Sequence, residues 1–524
     1  MELKDFFKSS IIIFPIALTA CGGGNSSNEK INQSPIANIQ TSSSEFYNNL
    51  DIQLDGSKSN DPDGDSLTYI WAVTEQPKGS QISFSQSHSA TPKFTANLPG
   101  HYVLSLTVND GKVESTPATL SLDILDEETR LNCDVVSPGN LEIATKANSN
   151  IQKDDYIDAV LTLKDADFNV LSTLNTEIKG RGNSTWGAPK KPYRLKVKKS
   201  SVTTVYDMPE NRNWALLANA YDGTMLRNST ALCLGKNFIR NSWTPNYRFT
   251  NVNLNGVDQG LYLLTEHVEI KSNKINLGNN DTEDNPDIHE FFVEMTPSSR
   301  LNDKDIFVHT NRGTYYEVKS DVSDDTTTRN QQLNYITNYL NQVEDSIYLH
   351  NFDENNGYSK YIDVDSAIDY ILLNELFKDN DRFWASTHLF KKTDGKLTFG
   401  PIWDYDLSAG DYVCNGNANP EGWWVLTRNY PSQLMQDPKF KSKLISRWII
   451  LKKKMPNLIK QIDKEAVNIQ NAQVNNYKLW TFNTQSMSCD GAPINLGSTY
   501  NEQVSYLKSW LTKRAEWMDN ELSK

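Results

Sequence analysis

The sequence predicts a multidomain protein in which an N-terminal immunoglobulin-like β-sandwich precedes a larger α+β region of two lobes. Three observations carry that expectation. The chain has 524 residues, more than one ordinary domain of about 100 to 200 residues accommodates. Residues 35–126 hold short alternating segments separated by Gly, Pro and Asp clusters, such as LTYIWAV at 67–73 and YVLSLTVN at 102–109. Beyond residue 127, strand signals dominate first and helical periodicity second, which suggests two lobes with a cleft between them.

Apolar residues make up 38% and aromatics 10%, the composition of a folded chain, and a formal charge of −13 argues against nucleic acid or an anionic membrane surface as partner. At the N-terminus, Lys4 and Lys8 precede the apolar run IIIFPIALTA at 11–20, about half the length a membrane span needs. Residues 1–20 therefore read as a removed export signal. The tetrapeptide LTAC at 18–21 resembles a bacterial lipobox, which implies acylation of Cys21 and attachment to a membrane through that lipid. Glu2 and Asp5 depart from the usual positive start, and Gly22 after Cys21 implies the outer membrane if the envelope is Gram-negative. An exported lipoprotein of the outer membrane or cell surface is expected, with a polar tether over 21–34.

Four further cysteines, Cys133, Cys233, Cys414 and Cys489, can form disulfides in an exported protein. They allow three pairings. Cys414 with Cys489, each in a Gly/Asn/Asp-rich loop, is the preferred bridge, with free buried thiols as the alternative.

Within 35–126, LDGSKSNDPDGDSLTYIW followed by PGHYVLSLTVNDG resembles PKD-type domains, in which a Trp, here Trp71, fills the space between sheets. Asp61, Asp63 and Asp65 alternate as calcium ligands can, but an Asx-rich turn explains them more simply. A spacer or adhesive role is expected of this domain.

In the first half of 127–524, KGRGNSTW at 179–186 and KKPYRLKV at 190–197 set a Gly-flanked turn among Lys179, Arg181, Lys191, Arg194 and Lys196. Backbone N–H groups and this local positive charge suit a polyphosphate, and a basic strand face is the competing reading. Asn255-Gly256, between YRFTNVNL and GLYLLTE, signals a tight hairpin. In the second half, residues 362–378 place Val364, Ile368, Ile371 and Leu372 on one helix face, with Asp363 or Asp365 as cap. Val504, Leu507, Leu511, Met518 and Leu522 form a similar stripe in a terminal helix.

A second hairpin is expected from STHLFKK at 386–392 and KLTFGPIW at 396–403, turned through Asp394-Gly395. Antiparallel strands begin and end at one edge, so Asp381, before the first strand, and Asp404, after the second, can converge. Magnesium takes one or two carboxylates plus phosphates and water, so Asp404 with Asp406 or Asn380 can hold it, while Asp381 can orient or deprotonate a hydroxyl. Aspartates that merely cap turns are the alternative.

KGRGNSTW with KKPYRLKV, NRNWALLANAYDGTMLRN at 211–228, GLYLLTEHVEI at 260–270, YIDVDSAIDYILLNEL at 361–376 and KLTFGPIWDYDLSAG at 396–410 together resemble the CotH kinase family. Several motifs in order over 138–524 make the resemblance specific. It implies an atypical protein-kinase-like fold that transfers phosphate from ATP, with Mg2+ or Mn2+, to serine on proteins outside the cytoplasm. Carried over, Asp381 would be the catalytic aspartate and Asp404 the metal aspartate. Lys196, or else Lys191, would hold nucleotide phosphates, and Tyr262 to Glu266 would lie near adenine. Arg227 and Asn228 would make the polar contact between lobes. Ser386 departs from ordinary protein kinases, which place an Asn there for a second metal. The expected partners are an envelope or surface protein substrate, with the chain itself a monomer. The alternative function is a surface adhesion or matrix-binding lipoprotein whose kinase-like domain no longer catalyses. A metal-dependent hydrolase is disfavoured, because none of the seven His residues pair at ligand spacing.

Overall fold

The computed structural model describes residues 31–524 apart from 42–44, 279–288, 303 and 415. The export signal, Cys21 and most of the tether lie outside the described residues. The chain divides into two compact units, Met1–Glu127 and Glu128–Lys524.

In the first unit, two four-stranded sheets enclose one core. One sheet contributes Leu54 and Phe94, the other Trp71, Leu104 and Leu106, and Leu54, Trp71 and Phe94 are flanked by more exposed residues as half-buried strands require. Trp71 is buried between the sheets, and its indole N–H donates to the Ser89 carbonyl at 3.0 Å. The Asp61 carboxylate accepts the backbone N–H groups of Asp63 and Asp65 at 2.8 and 3.1 Å, while Asp65 pairs with Lys112 at 2.8 Å. That is the Asx-turn arrangement.

The second unit opens with a closed seven-stranded barrel. Its strands are β1 (Gly139–Thr145), β2 (Ile157–Lys164), β3 (Val170–Gly180), β4 (Tyr193–Val197), β5 (Asn213–Leu217), β6 (Tyr247–Leu254) and β7 (Val257–Glu266). Around the barrel the order is β2-β3-β4-β5-β7-β6-β1, antiparallel except for β6 against β1. Alternate residues such as Ala159, Leu161 and Leu163 fill the interior. The β6–β7 hairpin turns at Asn255 and Gly256 with φ of 51° and 82°, as a two-residue primed turn demands.

Next comes a five-stranded sheet of β8 (Phe291–Met295), β9 (Phe307–His309), β10 (Tyr315–Val318), β11 (Thr387–Lys391) and β12 (Leu397–Phe399), ordered β9-β10-β8-β11-β12. Among the helices, α1 (Arg227–Phe238), α2 (Thr326–Tyr348), α3 (Val364–Phe377), α4 (Pro438–Asn468), α5 (Gln470–Leu479) and α6 (Tyr500–Leu522) are the long ones.

Asp363 caps α3 by accepting the Ser366 N–H at 2.9 Å. The single apolar face expected of α3 is not found: every residue from Ser366 to Phe377 is buried. The helix is wrapped by α1, α4, α6 and β12, and its polar residues meet arginines from outside it. Asp369 pairs with Arg240 and Arg447, and Glu375 with Arg514.

The β11–β12 hairpin forms with Leu389 opposite Phe399 and Lys391 opposite Leu397. Its turn differs from expectation. Neither Asp394 nor Gly395 has a positive φ, and the Gly395 N–H bonds the Lys392 carbonyl at 3.0 Å. The longer connection over 392–396 relieves the twist constraint that would demand a primed turn. Disulfides join Cys133 to Cys233 and Cys414 to Cys489.

Candidate active site

A cavity of about 770 Å3 opens where the barrel meets the five-stranded sheet, within the size range of small-molecule sites. Arg181 to Thr185 beyond β3, Arg194 on β4, Leu217 to Ala220 from the end of β5 and His267 to Ile270 beyond β7 form one side. The other side carries Glu294, Lys319, Asp379 to Asp381, Ser386, His388, Trp403, Asp404 and Asp406.

The aspartates reach the cavity because α3 stops sharply. Lys378 takes a left-handed conformation, φ 45°, and the chain turns through Asp379, Asn380 and Asp381 into β11. After β12 it returns to the same edge at Asp404, also left-handed with φ 67°. Asp381 and Asp404 thus line one cavity, and the charge of Asp381 acts on Asp404. Asp381 accepts from Arg300 at 3.1 Å and from the Asn380 amide at 3.3 Å.

Burial raises Asp404 above the ordinary carboxylate range; Arg181 and Arg382 pull it down, and Asp381 pushes it further up. Burial, then Asp404, Asp222 and Asp379, hold Asp406 well above that range. Neither the Asp404 nor the Asp406 carboxylate accepts a hydrogen bond from the described residues. Two close carboxylates that the protein leaves unsatisfied suit a cation. Among the described residues no group of three or more His, Cys, Asp or Glu is placed to hold a metal. An ion held by this pair alone would need water and phosphate to complete its shell, as magnesium prefers. Asn380 donates to Asp381 rather than pairing with Asp404.

Of the expected phosphate-binding cations, Arg181 and Arg194 face the cavity. Arg181 stacks 5.2 Å from the Trp403 ring, and burial lowers its pKa against the opposing pull of Asp404 and Asp406. The Arg194 Nε is buried without a hydrogen-bond partner, an orphan donor that an anion would satisfy. Gly182, at φ 82°, shapes the turn between them: a Cβ there would lie 2.0 Å from the Thr185 hydroxyl.

Lys179, Lys191, Lys196 and Glu266, contrary to expectation, do not line the cavity. Lys179 and Lys196 lie 4.9 and 5.4 Å from the ring of Tyr156, and Lys191 donates to the Trp186 carbonyl at 2.6 Å. Lys196 sits two residues further along β4 than Arg194, about 7 Å beyond it and away from the turn that opens on the cavity. Glu266 is buried in the barrel wall, where it accepts the Asn246 backbone and amide N–H groups at 3.0 and 2.8 Å. The segment meeting the cavity is the one just past it, His267 to Ile270.

Two residues missed in the sequence organise this centre. Arg382 is fully buried; it donates to the carbonyls of Ser386 and Asp404 at 3.0 and 3.1 Å and to the Asn374 side chain at 3.0 Å. It also pairs with Asp379 at 3.5 Å. Asp379 is raised to about 7 by burial first, against Arg382 and with Asp381 and Asp404 adding to the rise. The density of charge in KDNDR at 378–382 was the available signal. Elsewhere, burial pushes Glu294 upward, yet His388 and Lys319 hold it well below its usual value. His388 is buried on β11, its ring nitrogen 3.2 Å from the Pro401 carbonyl.

Arg227 and Asn228 tie α1 to the segment around Asp404. Arg227 pairs with Asp222 at 2.6 Å and Asp411 at 3.2 Å and donates to the Ser408 carbonyl. Asn228 accepts the Tyr405 N–H at 2.8 Å.

A family model described as CotH kinase protein matches residues 178–518, and one described as K319L-like, PKD domain matches residues 48–123. The chain belongs to the CotH kinase family and carries an N-terminal PKD domain. No curated protein matches it. Among solved structures, a nucleoside hydrolase-related hypothetical protein from Saccharophagus degradans, associated with carbohydrate metabolism, is 27% identical over 18% of this chain and 26% of its own, with a TM-score of 0.15. The chain thus spans about a quarter of that protein's length. The PKD domain of the KIAA 1837 protein is 24% identical over 20% of this chain and 94% of its own, with a TM-score of 0.14. Domains 4–9 of the surface layer protein SbsC are 10% identical over 45% of this chain and 28% of their own, again at 0.14. TM-scores this low bear on neither the fold nor the site.

Proposed function

We propose that the CotH domain is an atypical, two-lobed protein kinase, transferring phosphate from ATP to serine hydroxyls of envelope or surface proteins, and that the chain is exported and anchored through acylated Cys21. The observation that supports this most is the pairing of Asp381 and Asp404 at the two ends of one hairpin, facing Arg181 and Arg194 across a single cavity. Phosphoryl transfer asks the protein for positioning and charge stabilisation more than for covalent chemistry.

When bound, a nucleoside triphosphate with Mg2+ or Mn2+ supplies the phosphoryl group and the charge that neutralises it. Asp404 and Asp406 would hold the ion, and Arg181 and Arg194 would hold phosphate oxygens. Asp381, with a carboxylate a quarter exposed, would orient the serine hydroxyl and accept its proton. His267 to Ile270 and Trp403 would wall the base.

The test is incubation of the full-length protein with labelled ATP, magnesium and an envelope extract. Transfer to serine is expected, with Asp404→Ala and Asp381→Asn each lowering it by about a hundredfold or more. Equal labelling by wild type and Asp404→Ala, or undetectable nucleotide binding, would overturn the kinase reading in favour of an adhesion protein.

A further inference from the structure

A second cavity lies at the far end of the barrel. β3 runs from Val170 to Gly180, and the active-site turn follows Gly180, so the β2–β3 turn at the other end is about 35 Å away. There a groove of about 530 Å3 separates the outer face of β1 and β6 from the end of α4 and the start of α5.

Six amides converge on it: Asn140, Asn251, Asn253, Asn468, Asn471 and Asn475. Their convergence follows from strand and helix periodicity. Asn140 and Asn251 are register partners on parallel strands, and the Asn251 amide donates to the Asn140 side-chain oxygen at 3.2 Å. Leu141 and Val252, next along, point into the barrel at 1% exposure, so this amide row faces outward. Asn468 ends α4, and Asn471 and Asn475 lie one turn apart on α5. The side chains of Asn253 and Asn471 make no hydrogen bond with the described residues.

The lining has a second property: it contains no Lys, Arg or His. In a chain with 52 basic residues, that disfavours phosphate or any other anion as ligand. Amides both donate and accept, which matches groups that do the same, above all hydroxyls. Phe168, also lining the groove, is 66% exposed and left-handed at φ 65°. A bulky residue in that conformation is costly, and nothing in the described protein covers its ring.

We infer that this groove binds a neutral glycan, with the amide row taking sugar hydroxyls and the Phe168 ring stacking on a sugar face. The site is separate from the nucleotide cavity, so the inference stands whether or not the chain transfers phosphate.

Titration calorimetry of the full-length protein with maltohexaose, cellohexaose, mannohexaose and chitohexaose, beside an oligogalacturonate, tests it. At least one neutral hexasaccharide should bind with Kd between about 10 μM and 1 mM, and the acidic oligomer should bind more weakly. Phe168→Ala and Asn471→Leu, both at exposed positions, should each weaken binding about tenfold without moving Tm, while Asp404→Ala leaves it unchanged. Absence of binding by all four neutral sugars at millimolar concentration, equal binding of the acidic oligomer, or full binding by both variants would overturn the inference.

Discussion

Arg382 joins the two ends of the β11–β12 hairpin through one guanidinium, bonding the carbonyls of Ser386 and Asp404, both left-handed, while it pairs with Asp379. Arg382→Met leaves that carboxyl buried without its cation, and should cost about 3 to 5 kcal/mol in a urea unfolding curve. Arg382→Lys keeps the charge but not the planar fork, so it should fold while Mn2+ binding weakens about tenfold or more. Lys190 gives a pH signature. It is buried, donates to the Leu261 carbonyl and to Asn476, and burial lowers it to about 7, with Asp258 opposing. Between about 7 and the ordinary lysine value of 10.5 the unfolded chain binds the additional proton, so stability should rise with pH over that window. The rise should be absent in Lys190→Met, as urea midpoints at pH 7 and 9.5 would show.

At the scale of elements, local chemistry was legible and convergence was not. The Asp363 cap, the Asn255-Gly256 turn and the α6 stripe follow from neighbours in sequence, and all are present. The choice of Arg181 and Arg194 over Lys191 and Lys196 depends on which side chains reach the cavity, which residue type does not encode. The burial of α3 on every side was hidden because its polar residues, Asp369 and Glu375, read as solvent-facing until distant arginines met them. The Cys133–Cys233 bridge joins the segment ahead of β1 to α1 across a sequence separation of 100. Replacing both cysteines by Ala should cost about 2 to 5 kcal/mol by releasing that loop in the unfolded chain. A lower midpoint in thermal unfolding would register it.

For the whole molecule, the PKD unit and the CotH unit have separate hydrophobic cores. Calorimetry should therefore resolve two unfolding transitions. Removal of residues 1–127 should abolish one and leave the other within a few degrees of its place, whereas a single merged transition would contradict independent folding.

The closed barrel carries a last consequence. Every one of its strands has two partners, so none offers a free row of peptide groups to another chain. In the five-stranded sheet, β9 is an outer strand of three residues, with Phe307 42% exposed. Should the CotH unit self-associate through strand edges when crowded on a surface, β9 rather than the barrel is where growth would start.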